Sequence, residues 1–136
     1  GNAQALAGGM DLLLDALDNY EARYHLNRAA LDQGIPLVHA AVNGFFGQMT
    51  TVVPGETACL QCAFPYPPER VDTSVIGVTA GIIGLLQALE AIKILICEGE
   101  VAKNVLVVWD GRCGRLDQIP LVRDPACPVC GRGDCA

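Results

Sequence analysis

The hydrophobic pattern of this chain alternates short, unbroken apolar runs with longer stretches of helical spacing, which predicts strands and helices that take turns along one sheet. Residues 2–9 are small and polar and read as the end of a helix or a linker. Residues 11–17, with three leucines between acids, predict a strand buried on both faces of a parallel sheet. Asp18-Asn19-Tyr20-Glu21 has capping-box spacing, with Asp18 as the cap and Glu21 reaching back. The helix that follows carries Ala22, Leu26, Ala29 and Ala30 on one face and stops at Gly34, with Pro36 just beyond. A strand is expected over residues 37–42, and Asn43-Gly44 predicts a turn that folds residues 45–53 back against it.

Prolines 65, 67 and 68 exclude regular structure after residue 63 and predict a crossover loop. From Thr73 to Leu89 there is no charged residue, and the apolar spacing runs on to Ile96, predicting a long helix. Gly77, Gly81 and Gly84 fall on one of its faces, where another backbone is expected to approach closely. Seventeen uncharged residues that include Thr73, Ser74, Thr79 and Gln87 make a poor bilayer span, so no membrane is expected. Residues 105–109 and 115–122 predict a closing hairpin, with Pro120 putting the second strand at an edge.

Composition sharpens this picture in three ways. A length of 136 residues fits one domain or part of one, and an apolar content of 51% before the 15 glycines calls for a partner surface. A net charge of −6 and the lack of a basic patch argue against nucleic acid. No basic segment precedes an apolar run at the amino terminus, so no signal peptide is expected. Cysteine is the informative residue. Cys59-Leu60-Gln61-Cys62 and Cys127-Pro128-Val129-Cys130 each offer two thiolates from one tight turn, and together they predict a shared four-thiolate zinc site, with redox or disulfide use, or no metal at all, as the alternatives. Cys97, Cys113 and Cys135 remain as single thiols, a usage that suits a reducing cytoplasm; Cys97 reads as inert and Cys113, in a glycine-flanked turn, as the more reactive.

Asp15 and Asp18 lie at the carboxyl end of the first predicted strand, where doubly wound sheets bind ligands. Asp18 is the sharper candidate, either as an oxygen ligand for Mg²⁺ on a nucleotide phosphate or as a plain helix cap. Arg23 and Asn27 share a face of the next helix and reach the same pocket or solvent. His25 and His39 lack metal-ligand spacing and read as ordinary helix and strand residues. No glycine-rich phosphate loop and no Gly-Lys-Ser/Thr is present.

The ordered set Asp15-Ala16-Leu17-Asp18-Asn19, Arg23, Asn27, Phe46-Gly47-Gln48, Cys59-x-x-Cys62, Gly81-Ile82-Ile83-Gly84, Gln87-Ala88-Leu89-Glu90-Ala91 and Asp124 through Gly131 resembles the ThiF/MoeB/HesA family, bacterial relatives of the ubiquitin-activating enzymes. The likeness runs from about residue 10 to residue 131 and covers the second half of the family's fold. It implies an α/β architecture: the carboxyl-terminal half of a Rossmann-like, ubiquitin-activating-type fold, with a mixed sheet, flanking helices and a four-cysteine zinc site. Residues 1–136 are then a single partial domain, and the nucleotide-loop half belongs upstream or to a companion chain. The implied activity is ATP-dependent adenylation of the carboxyl-terminal glycine of a ubiquitin-like sulfur carrier, as in thiamine or molybdopterin biosynthesis. The alternative is a zinc-stabilised binding or dimerisation module without catalysis. By the resemblance, Asp18 matches the Mg²⁺–ATP aspartate, Arg23 and Asn27 match pocket or structural positions, and Cys59, Cys62, Cys127 and Cys130 match structural zinc ligands. The helix after Thr73 matches a region near a homodimer interface. Some members carry a reactive cysteine in the crossover loop, which falls here near Arg70 and the following Val71, Asp72 and Thr73, where there is no thiol.

Overall fold

The computed structural model describes residues 2–67 and 74–131. Among the described residues the elements are, in order, α1 (Ala3–Ala7), β1 (Leu13–Asp15), α2 (Tyr20–Gln33), β2 (Leu37–Asn43), β3 (Phe46–Val52), α3 (Leu60–Ala63), α4 (Gly77–Ile96), β4 (Val105–Asp110) and β5 (Arg115–Pro120). The five strands form one mixed sheet in chain order, with β1 parallel to β2 and every later pair antiparallel. The mixed sheet, the β2–β3 turn and the β4–β5 hairpin agree with the pattern in the sequence. The crossover positions Arg70 to Thr73 lie outside the described residues, as does Cys135.

Successive strand residues face opposite sides of a sheet, and β2 divides the core accordingly. Leu37 packs with Ala30, Val52, Cys59, Leu60 and Cys127 on the α2 side, while Val38 packs with Met49, Val107 and Leu86 on the α4 side. The first strand is shorter than expected and is not buried on both faces: Leu14 is 49% exposed, because β1 is the last strand of the sheet and α4 covers β2 and β3 instead. The α2 cap also differs from expectation. Asn19, not Asp18, is the N-cap, and its side chain accepts from the Ala22 amide at 2.8 Å. The helix ends as predicted on Gly34 at φ 68°, whose N–H meets the Ala30 and Leu31 carbonyls.

Helix α4 has an inverted polarity. It buries Thr79, Gln87 and Glu90 against the sheet and presents Val78, Leu85, Leu89, Ile92, Leu95 and Ile96 outward. Two of them hold defined partners: Gln87 donates to the Asp15 and Val38 carbonyls at 3.0 and 2.8 Å, and Glu90 accepts from the Ala102 amide at 2.8 Å and pairs with Lys93. The close helix–strand approach falls on the strand. A Cβ on Gly47 would stand 2.2 Å from Cγ1 of Ile83, whereas none of the described residues comes within 4 Å of a Cβ placed on Gly77, Gly81 or Gly84. Gly47→Ala is therefore expected to lower stability by about 1–3 kcal/mol through overpacking, measured by urea denaturation; a neutral result would mean that Ile83 can turn aside.

Candidate active site and metal centre

The parallel pair β1–β2 ends in a cleft of about 670 Å³, lined by Asp15, Asp18, Arg23, Gln48 and Gln87 together with apolar residues of α4. The carboxyl ends of parallel strands and the amino end of α2 meet here, so open backbone N–H groups and carboxylates share one rim. Asp18 is exposed and receives a hydrogen bond from Asn19 Nδ2 at 3.0 Å. Because Asn19 performs the capping, the Asp18 carboxylate is available to the cleft. It offers the hard oxygen donor that Mg²⁺ takes beside a phosphate, and its exposure leaves room for the water ligands that Mg²⁺ retains.

Below the rim the cleft has a polar floor. Asp15 and His39 sit opposite each other in the parallel register, both with no exposed surface. Asp15 Oδ2 lies 2.6 Å from His39 Nδ1, and Asp15 Oδ1 accepts from the Leu17 amide at 3.0 Å. Gln48 Nε2 lies 3.3 Å from His39 Nε2, so the amide donates to one ring nitrogen while the other donates to the carboxylate, which fits the Nδ1–H tautomer. Arg23 donates to the Leu17 carbonyl and, at 3.5 Å, to the Ala40 carbonyl. Its Nε stands 3.4 Å from Asp15 Oδ2, a charge contact without hydrogen-bond alignment. Arg23 is thus a cleft residue whose charge is turned into the protein.

Asn27 belongs elsewhere. It does not line the cleft; its Oδ1 accepts from the buried Leu60 amide at 3.1 Å and so caps the turn carrying Cys59 and Cys62. Asn27→Ala leaves that amide unpaired and is expected to cost about 1–3 kcal/mol in a denaturation experiment; an unchanged midpoint would remove the capping role.

The four paired cysteines come together on the α2 side of the sheet. Their sulfurs all lie within 4.8 Å of one another, with Cys62–Cys130 at 3.4 Å, Cys59–Cys127 at 3.8 Å and Cys59–Cys62 at 3.9 Å. Four thiolates held tetrahedrally at about 2.3 Å from zinc stand roughly 3.8 Å apart, so the donor set and its spacing fit the metal. The second knuckle is closed by Gly131, whose added Cβ would meet the Pro125 carbonyl oxygen at 2.3 Å. Arg123 ties the knuckle to the body, donating to the Gly55 and Cys130 carbonyls at 3.1 and 2.6 Å. Burial pushes the Cys59 and Cys62 thiols up. Burial also acts against ionisation of Cys127, but the Cys130 and Val129 amides and the Cys62 and Cys130 sulfurs outweigh it and bring that thiol down to about 7. Cys97 and Cys113 are both exposed and stand outside the cluster.

Sequence reasoning singled out Asp18, Arg23 and the four cysteines, and the structure puts the first two at one cleft and the cysteines in one cluster. His39 does not line the cleft but bonds to Asp15, which does; that link is made across the sheet and leaves no local spacing signal. Comparison with known proteins gives the family and the fold. A family model described as "ThiF family" matches residues 1–129. SAMP-activating enzyme E1 of Haloferax volcanii is 41% identical over 97% of this chain and 51% of its own length. Protein HesA, heterocyst, of Trichormus variabilis is 37% identical over 96% and 49%, and the sulfur carrier protein adenylyltransferase of Thermus thermophilus is 35% identical over 96% and 52%. The chain spans about half the length of these curated relatives. Among solved structures, E. coli MccB with ATP aligns at a TM-score of 0.78 and 17% identity, covering 97% of this chain and 44% of that one, a likeness of fold.

Proposed function

Because the chain belongs to the ThiF family, we propose that it is the Asp18-bearing half of an ATP-dependent adenylyltransferase acting on the carboxyl-terminal glycine of a ubiquitin-like sulfur carrier, in thiamine- or molybdopterin-type biosynthesis. The observation that carries this reading is the exposed Asp18 carboxylate, not used as the helix cap, at the mouth of the β1–β2 cleft. The relatives named as a SAMP-activating E1 and a sulfur carrier adenylyltransferase support the substrate class. In the reaction a carboxylate oxygen of the carrier attacks the α-phosphorus of ATP, the bond to the bridging oxygen breaks, and pyrophosphate leaves. Mg²⁺, when bound, would neutralise charge on the phosphates, and Asp18 would hold it. Among the described lining residues the one cation, Arg23, is engaged by backbone carbonyls, and we assign the basic groups that grip the leaving pyrophosphate to an amino-terminal half or a companion chain, as the family resemblance implies. That assignment also leaves a second reading for the chain by itself: a zinc-stabilised module that binds the carrier without catalysis.

The outward face of α4 is assigned to a homodimer. The helix is long and apolar enough to cross a membrane by length and composition alone, yet insertion would break the bonds of Gln87 to β1 and β2 and of Glu90 to Thr51 of β3. A protein surface covers the stripe at no such cost. Leu85→Asp is expected to convert the dimer to monomer in light scattering; a wild-type monomer would remove the assignment. Cysteine usage supports a cytoplasmic location. The test of the function is carrier-dependent exchange of labelled pyrophosphate into ATP by the complete protein. Exchange supports the enzyme, carrier binding without exchange supports the module, and neither outcome leaves both.

A further inference from the structure

A buried carboxylate, imidazole and guanidinium occupy a place in the sheet that aliphatic side chains could fill, and the adenylation reading uses none of them directly. Their contacts converge on one short turn. The Leu17 amide is held by Asp15 Oδ1, and the Leu17 carbonyl is held by Arg23. That carbonyl belongs to the peptide unit that enters Asp18, so both ends of the residue preceding Asp18 are fixed. The anchor is Asp15, and its rotamer is set by His39, which is itself fixed by Gln48 on β3 and by the ring of Phe64 at 5.5 Å. Gln87 secures the Asp15 carbonyl from the other face of the sheet.

We propose that His39, acting through Asp15, is a positioning residue for Asp18: the pair fixes the 16–18 turn so that the Asp18 carboxylate meets the metal–nucleotide at the cleft. This rests on the adenylation reading. Partners that orient a metal-binding side chain change metal affinity when removed, whereas a group that only fills the core changes stability. The two roles therefore separate experimentally.

The experiment uses the complete protein with His39→Leu, His39→Asn and Asp15→Asn, and follows Mn²⁺–ATP binding by electron paramagnetic resonance, the Mg²⁺ needed for half-maximal adenylation, and the thermal midpoint. His39→Leu and Asp15→Asn are expected to weaken Mn²⁺–ATP binding about 10-fold or more and to raise the Mg²⁺ requirement in parallel. His39→Asn, whose side-chain amide reaches the Nδ1 position, is expected to recover most of the affinity while remaining as destabilised as His39→Leu. Wild-type affinity in both His39→Leu and Asp15→Asn overturns the proposal, as does an affinity that follows the thermal midpoint across all three variants. If His39→Leu does not fold, Asp15→Asn decides alone: wild-type binding overturns the proposal and a 10-fold loss supports it. Wild-type protein that binds Mn²⁺–ATP but adenylates no carrier removes the adenylation reading and leaves the positioning of Asp18 standing. Wild-type protein that does not bind Mn²⁺–ATP overturns both.

Discussion

Cys62→Ser is expected to abolish stoichiometric zinc and to lower the thermal midpoint by more than about 10 °C, or to leave the chain unfolded. Cys62 and Cys130 stand 68 positions apart in sequence and 3.4 Å apart in space, so the metal joins the turn after β3 to the tail beyond β5. Structural zinc contributes several kcal/mol or more of folding free energy, and about 4 kcal/mol corresponds to roughly 10 °C in a domain of this size. Without a metal the core keeps three buried thiols, Cys59, Cys127 and Cys130, with Cys59 and Cys127 in sulfur–sulfur contact at 3.8 Å. Elemental analysis checks the first expectation, about one zinc per chain, and calorimetry the second. Equal stability with and without zinc would remove the metal from the account. Zinc binding requires thiolates, and Cys59 and Cys62 are held in the protonated form by burial while Cys127 ionises near 7. Metal uptake therefore releases protons, and at a fixed chelator concentration zinc is lost as the pH falls. A chromogenic chelator reads this directly, and retention independent of pH would contradict it.

Asp18→Ala is expected to reduce adenylation by the complete protein about 10²–10³-fold with little change in stability, the scale seen when one electrostatic group serving a transition state is removed. The small stability effect follows from the cap. Asn19 holds the Ala22 amide, and Asp18 is exposed beside it. Asn19→Ala should give the reverse signature, a loss of about 1 kcal/mol in stability with adenylation largely retained. Adenylation rates paired with denaturation midpoints separate the two. If Asp18→Ala lost stability and kept its rate, the aspartate would be a structural residue and the cleft would need another metal ligand.

How far the sequence carried this picture depended on whether the physics was local. The β2–β3 turn, the Gly34 stop and the two cysteine knuckles are set by backbone conformations and ligand spacings written within a few residues, and each stands where it was expected. The cap of α2 was misplaced by one residue because Asp18 and Asn19 are both good caps and the choice rests on backbone angles. Asn27 matches a pocket or structural position by the resemblance, and its partner, the Leu60 amide, belongs to α3, 33 positions later. The close helix–strand approach is made at Gly47 of β3, and the polar residues of α4 turn inward where Gln87 and Glu90 find partners on β1, β2 and β3. These contacts are tertiary and leave no local signal.

The central claim is that this chain supplies the Asp18 half of an enzyme that adenylates a carrier's terminal glycine. Intact-mass analysis of a ubiquitin-like sulfur carrier after one turnover with the complete protein, ATP and Mg²⁺ tests it most directly. The account predicts a mass increase equal to one adenylyl group on the carrier, absent when its terminal glycine is deleted and absent with Asp18→Ala. An unmodified carrier under saturating ATP, or an adenylyl group that persists after the glycine is removed, would contradict it.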